Sequence, residues 1–175
     1  AFTDSSSDPW FAPAGLVRGA LGSVIRAERK LTSGNRDTLY EANVNPIATF
    51  PGQGVVVFGQ KTLQKRSSAL DRVNVRRLMI ALKNFIGQVS DNLVFEQNTI
   101  ITRNSFLSQV NPYLESVQQR QGLYAFKVVM DDSNNTPDVI DRNQLIGQIF
   151  VQPAKTAEFI VLDFTLEPTG ATFGG

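Results

Sequence analysis

The most regular pattern along the chain is an apolar stripe over about residues 72–90. Val75, Leu78, Met79, Leu82, Phe85, Ile86 and Val89 recur at intervals of three and four, which predicts an amphipathic helix. At about 100° per residue, Arg72, Arg76 and Lys83 fall together beside that stripe, with the apolar Ile80 next to them on the outward side. A second helix is expected over about 104–121, facing inward through Phe106, Leu107, Val110, Leu114 and Val117. Pro112 should kink that helix or restart it, with Asn111 as cap, and Gly122 should close it.

Beyond Gly122 the period changes to two. Tyr124, Phe126, Val128 and Met130 share one face of an expected strand over 123–130. The run 131–141 is crowded with Asp, Asn and Ser and reads as a loop. Leu145, Ile149 and Val151 then mark a further strand, closed by Pro153. The last strand, 159–166, is apolar on both faces: Ile160, Leu162, Phe164 and Leu166 on one, Phe159 and Val161 on the other. A polar tail containing Phe173 follows, and it needs a partner to hold it.

Upstream of the long helices the pattern is weaker. Residues 1–15 lack periodicity, with Trp10 and Phe11 as apolar anchors, and 16–27 suggest a strand or turn. Ser33 is the expected cap of a short helix over 34–42. Pro46 forces extension into a strand, and a turn at 51–54 leads to the buried-strand run Val55-Val56-Val57-Phe58. The sum is an α/β chain of mixed α+β type, with a small mixed sheet flanked by helices. The organisation expected is a lead-in or linker at 1–18, a core domain at 19–156, and a C-terminal strand and arm at 157–175.

Composition narrows the chemistry. Hydrophobic residues make up 42% of 175, enough for a real core, and no apolar run approaches the ~20 residues of a membrane helix. The chain has neither cysteine nor histidine, so thiol nucleophiles, Cys/His zinc sites and histidine bases are excluded. Charge is divided along the chain: residues 16–86 hold twelve Lys/Arg against four Asp/Glu, and residues 87–175 hold five against ten. A basic half and an acidic half suit self-association by complementary charge, a basic face for another partner, or simply two solvated surfaces. The sequence opens on Ala1 and is expected to be part of a longer polypeptide or a processed form.

Three motifs invite a chemical reading. Gly54 to Thr62 imitates a phosphate-binding loop, and would make Lys61 and Thr62 the residues of a phosphate-dependent enzyme. One residue too many separates Gly59 from Lys61, and Val55-Val56-Val57-Phe58 prefers a strand to a loop that aims N–H groups at phosphate. Asp131, Asp132, Asp138 and Asp141 could hold a hard cation, but their spacing is not that of an EF-hand and such residues crowd surface turns anyway. Asn134-Asn135-Thr136 has the form of a glycosylation acceptor, without a secretory signal to give it meaning. The Arg72, Arg76, Ile80 and Lys83 flank is different. Basic and aliphatic side chains side by side suit a protein interface better than bare solvent, and no basic–aromatic interleaving points to nucleic acid. The two-faced strand at 159–166 is either buried in its own sheet or added to that of a neighbour.

Several stretches, taken in order, resemble the C-terminal region of tail sheath proteins of contractile-tailed, myovirus-type bacteriophages. They are Asp8-Pro-Trp-Phe-Ala-Pro-Ala-Gly15-Leu-Val-Arg-Gly19, Asn43-Val-Asn-Pro-Ile47, Phe50-Pro-Gly-Gln-Gly54 and Phe58-Gly-Gln-Lys-Thr62. Val73-Asn-Val-Arg-Arg-Leu78, Asn134-Asn-Thr-Pro137, and Pro153 followed by Glu158-Phe-Ile160 complete the set. The resemblance covers nearly the whole chain. It implies a non-catalytic structural protein of the virion tail, assembled in the host cytoplasm, with no cofactor, no metal, no nucleic acid and no membrane insertion.

The implied partners are neighbouring sheath subunits, in hexameric rings stacked as a helical polymer, and the tail tube protein. Terminal arms would add strands to adjacent subunits, which makes Phe159, Ile160, Val161, Leu162, Phe164, Leu166 and Phe173 candidates for intersubunit pairing. Arg72, Arg76, Ile80 and Lys83 become candidates for touching the tube. Contraction would shorten and widen the polymer and drive the tube through the host envelope. A sheath component of a related bacterial injection machine is the alternative. Full-size sheath subunits carry further domains and an N-terminal arm, so the resemblance implies that this sequence is a fragment of a longer subunit.

Overall fold

Two long helices, packed on each other and on an antiparallel strand pair, form the core of the computed structural model, which describes residues 8–162. In chain order the elements are α1 (Ser33–Glu41), β1 (Ile47–Phe50), β2 (Gly54–Val57), a 3-10 turn (Ala69–Asp71), α2 (Val73–Asp91), α3 (Ile100–Gln119), β3 (Leu123–Val129), α4 (Pro137–Asp141) and β4 (Gln148–Pro153). The mixed α/β class expected from the pattern is the one observed. Its described strands, however, form two separate antiparallel pairs, β1–β2 and β3–β4, and not one sheet.

Helix α2 is the expected stripe made solid. Leu78, Leu82 and Val89 are buried against Phe106, Val110, Leu114 and Val117 of α3, Leu123 at the start of β3 and Met130 just past its end, and Val75 is buried as well. Phe85 stacks on Tyr113 across the helix pair, with ring centroids 3.8 Å apart. Trp10, from the irregular start, enters the same core and donates its indole N–H to the Arg120 carbonyl at 2.8 Å. The Arg120 guanidinium lies over the Trp10 ring and pairs with Asp8 at 2.7 Å, so the lead-in is fastened to the end of α3.

Several local expectations are corrected. Helix α1 is capped by Thr32, whose hydroxyl accepts from the Asn35 N–H, and Ser33 is already inside the helix. Helix α3 starts a full turn earlier than the pattern suggests, capped by Thr99, because Ile100 and Ile101 point outward and break the stripe. It also continues through Pro112 without restarting. That residue is exposed, so the forfeited hydrogen bond lies on the solvent side. Val110 before it and Leu114 after it both sit on the same core.

At the C-terminus of α3, Gln121 and not Gly122 takes the left-handed conformation, with φ 65°. The N–H groups of Gln121 and Gly122 bond back to the Gln118 and Val117 carbonyls, a Schellman ending. Gly122 is required for another reason. A Cβ there would stand 2.6 Å from Val117 Cγ1 and 3.1 Å from the Trp10 ring.

Strand β3 carries a bulge between Leu123 and Ala125, which shifts the alternation. Leu123 is therefore buried and Tyr124, expected on the Phe126 face, is turned to solvent. Downstream, the run 131–141 contains α4 and is organised by Asn135. This buried amide donates to the Asp131 and Ile146 carbonyls and accepts from the Ile146 N–H at 2.8 Å. In the smaller sheet, β2 lies between β1 and the segment 15–21, which bonds to it through Gly15, Gly19 and Leu21. A Cβ at Gly19 would meet the Val57 carbonyl at 2.4 Å, so only glycine lets the two backbones approach.

Replacing Gly122 with Ala should destabilise the chain by about 1–3 kcal/mol, because the added methyl overpacks the Trp10–Val117 contact. Urea unfolding checks this; an unchanged midpoint would mean that the contact yields freely.

Candidate assembly interface

The most elaborate polar constellation lies where the C-terminal segment leaves the body. Asn45 and Lys61 form a reciprocal pair, the side-chain amide donating to the Lys61 carbonyl and accepting from its N–H, both at 2.8 Å. That pair fixes the stretch 60–62 alongside Asp71–Val73, where Thr62 N–H reaches the Asp71 carbonyl and Val73 N–H the Gln60 carbonyl. The Lys61 ammonium sits on the Tyr40 carbonyl at 2.6 Å and over its ring. It is thus built into the fold, and Gly54–Val57 is strand, so the phosphate-loop imitation has neither a free lysine nor a loop.

These contacts bring Tyr40, Gln60 and Arg72 to one place, and Glu158 meets them there. The Arg72 guanidinium grips the Glu158 carboxylate at two points, Nε to Oε1 at 2.7 Å and Nη2 to Oε2 at 3.1 Å, while also facing Asp71 at 3.3 Å. The Tyr40 hydroxyl donates to Glu158 Oε2 at 2.9 Å. The buried Gln60 donates to the Thr156 hydroxyl at 2.6 Å. A two-point guanidinium–carboxylate grip fixes orientation as well as position. Arg72 also occupies the N-cap position of α2, and because a guanidinium has no acceptor to offer the helix N–H groups, α2 has no side-chain N-cap.

The electrostatics agree with the geometry. Burial pushes the Glu158 carboxyl up, but the hydrogen bonds from Arg72 and Tyr40 and the guanidinium charge outweigh it and leave the group below the usual glutamate value. Burial, then the Glu158 bond and charge, raise the Tyr40 hydroxyl to about 12. The Glu158 bond also raises the Arg72 guanidinium.

The expected site residues separate into two groups. Arg76, Ile80 and Lys83 remain together on the exposed side of α2, Ile80 at 57% exposure. Arg72 departs from them: it is half-buried and committed to Glu158. Among the terminal candidates, Phe159, Ile160, Val161 and Leu162 are 83%, 78%, 92% and 71% exposed and belong to no helix or strand. The reading of burial in the chain's own sheet therefore fails for these four. Phe164, Leu166 and Phe173 lie outside the described residues.

The acidic loop residues have local tasks. Asp131 accepts from the Ser133 N–H, and Asp132 pairs with the buried Arg103. Among the described residues no three acidic side chains gather as a metal site would need. The Asn134 amide is taken up by the Asp131 N–H and the Val129 carbonyl.

One apolar feature escaped the sequence reading: the α2–α3 connection displays Val94 and Phe95, and the first turn of α3 adds Ile100 and Ile101, with Phe95 fully exposed at φ 73°. A bulky residue in the left-handed region is rare. The signal available was two apolar pairs that fit neither helical stripe.

Comparison with known proteins decides what these surfaces belong to. The family described as phage tail sheath C-terminal domain matches residues 65–167. The chain belongs to that family. This sheath-family chain is 44% identical over 173 residues to the tail sheath protein of Vibrio phage KVP40, covering 99% of the chain and 26% of the relative. It is 40% identical to that of Enterobacteria phage T4 with the same coverage, so it spans about a quarter of the curated relatives it matches. Among solved structures, the sheath complex of the extracellular contractile injection system PVC, in its contracted state, superposes with a TM-score of 0.84 at 28% identity. That match covers 94% of the sheath-family chain and 48% of the other.

The pH dependence of the Glu158 joint follows from its shifts. A carboxylate held below its ordinary value stabilises the fold fully above that ordinary value and ceases to do so as pH falls through the lower folded value. A phenol held at about 12 contributes below the ordinary tyrosine value and stops contributing as pH rises through about 12. Carboxyl-detected NMR should therefore find Glu158 titrating below free glutamate, and Arg72→Met should move its midpoint upward, because burial is then opposed by the Tyr40 bond and no longer by the guanidinium. A midpoint unmoved by that substitution would contradict the pairing.

Proposed function

We propose that this chain is the assembly core of a contractile phage tail sheath subunit, polymerising with its own copies around the tail tube and contracting to drive the tube through the host envelope. The observation that carries the reading is the run Phe159–Leu162, four consecutive apolar residues left uncovered by the described body. Such a segment at the rim of a body is unfavourable in water unless another chain covers it. The β3–β4 pair supplies a suitable receiver, since among the described residues each of those strands pairs only with the other. Strand addition would link copies through several backbone hydrogen bonds, each contributing about 0.5–1.5 kcal/mol net.

The role is mechanical and non-catalytic. Links of this kind hold while bodies rotate as units, and contraction is driven by the better-covered surface of the final lattice. The exposed Arg76, Ile80 and Lys83 form the ridge proposed to touch the tube. Exposed ion pairs contribute only about 0–1 kcal/mol each, which suits a contact that must release. Identities of 40% and 44% to phage sheaths, against 28% to the injection-system sheath, favour a phage tail over a bacterial injection machine.

Removal of residues 157–175 should leave a chain that folds, with an unfolding midpoint lowered by the loss of the Glu158 joint, yet forms no striated cylinders in negative stain. Normal cylinders from the truncated chain would refute the arm assignment. The double change Arg76→Glu with Lys83→Glu should weaken tube binding severalfold at low salt and leave tube-free polymers intact; equal binding by parent and variant would remove the ridge from the tube interface.

A further inference from the structure

Between the end of β4 and the exposed apolar run, the chain is tied to the body at every second residue. The Ala154 N–H donates to the Gly122 carbonyl at 3.1 Å, just beyond α3. Thr156 receives the Gln60 amide at 2.6 Å. Glu158 receives Arg72 and Tyr40. Lys155 and Ala157, between the ties, are exposed, so the segment lies on the body with the period of two of an extended chain. From Phe159 to Leu162 all four residues are exposed. Glu158 is thus the last tie before the chain leaves the surface.

Two features mark these ties as more than incidental. The partners of Glu158 lie 86 and 118 residues away in sequence, so a charge-paired cluster from three parts of the fold converges on one position. Gln60 keeps its amide nitrogen on Thr156 although its buried Oε1 then has no partner among the described residues.

We propose that Glu158 is a positioning residue for assembly: its joint with Arg72 and Tyr40 sets the point and direction from which the arm departs, and so the length of arm free to reach a neighbouring copy. This rests on the assembly reading above. If the joint opens, the departure point retreats to Thr156 and the free arm gains two residues, about 7 Å of reach. Strand register is specified residue by residue, because a one-residue slip turns every side chain to the wrong face. A linker with surplus length also lowers the effective concentration of its end at the receiving site. A fixed departure point therefore selects one register and one neighbour spacing.

The absence of cysteine makes the test direct. Two spin labels placed by Gln88→Cys on α2 and Ile160→Cys on the arm report their separation by pulsed dipolar spectroscopy on the dilute chain. The parent should give one narrow distribution. Glu158→Ala should at least double its width, and the isosteric Glu158→Gln should broaden it less; both retain the parent's circular dichroism if the core is untouched. In unlabelled protein, Glu158→Ala should raise the concentration needed for cylinders about tenfold.

An unchanged distribution in both variants overturns the joint, and leaves the strand-exchange reading to stand or fall on the 157–175 truncation. A broadened distribution with an unchanged assembly threshold overturns its role in assembly. If Glu158→Ala does not fold, Glu158→Gln and Tyr40→Phe carry the comparison, with the same two outcomes deciding.

Discussion

Four apolar side chains in succession, Phe159 to Leu162, stand in solvent directly after a carboxylate that the body holds by a two-point ionic grip. That juxtaposition is the constraint from which the assembly account follows. The body invests a buried glutamine, a tyrosine and an arginine in fixing the segment up to Glu158 and covers none of the four residues after it. A chain that ends its own packing so abruptly requires another surface. On the proposed assembly that surface belongs to a further copy, and the uncovered run becomes a link of a polymer.

The rest of the structure serves to keep that departure point rigid. The α2–α3 pair gives a close-packed platform, and its stacked Phe85 and Tyr113 resist sliding of the two helices. Trp10 locks the start of the described chain onto the end of α3, beside the Gly122 carbonyl that holds Ala154. Glycine at 122 lets Trp10, Val117 and this backbone meet in space, since a larger residue would push Trp10 and Val117 apart. A rigid body with a fixed exit suits mechanical transmission, in which bodies turn as units and links keep their length.

Much of this was legible in the sequence, and what was not has identifiable causes. The stripe of α2 was clear because its apolar positions face one core. The first turn of α3 was hidden because Ile100 and Ile101 are apolar and yet point outward, and Pro112 suggested a break that packing on both sides overrides. The bulge at Leu123–Ala125 reversed the face of Tyr124, a shift no period-two count detects. Arg72 is the instructive case. A helical wheel places it with Arg76 and Lys83, but its partner lies 86 residues further on, and pattern along the chain carries no information about such a pairing. The family resemblance includes Glu158-Phe-Ile160, but no pattern along the chain reveals that this glutamate is held by Arg72 and Tyr40.

The most direct test is a high-resolution cryo-electron microscopy reconstruction of the assembled polymer. The account predicts that Glu158 remains on Arg72 of its own body while Phe159–Leu162 run as a strand against the sheet of an adjacent copy. A reconstruction in which those four residues fold back onto the body that carries them would contradict it.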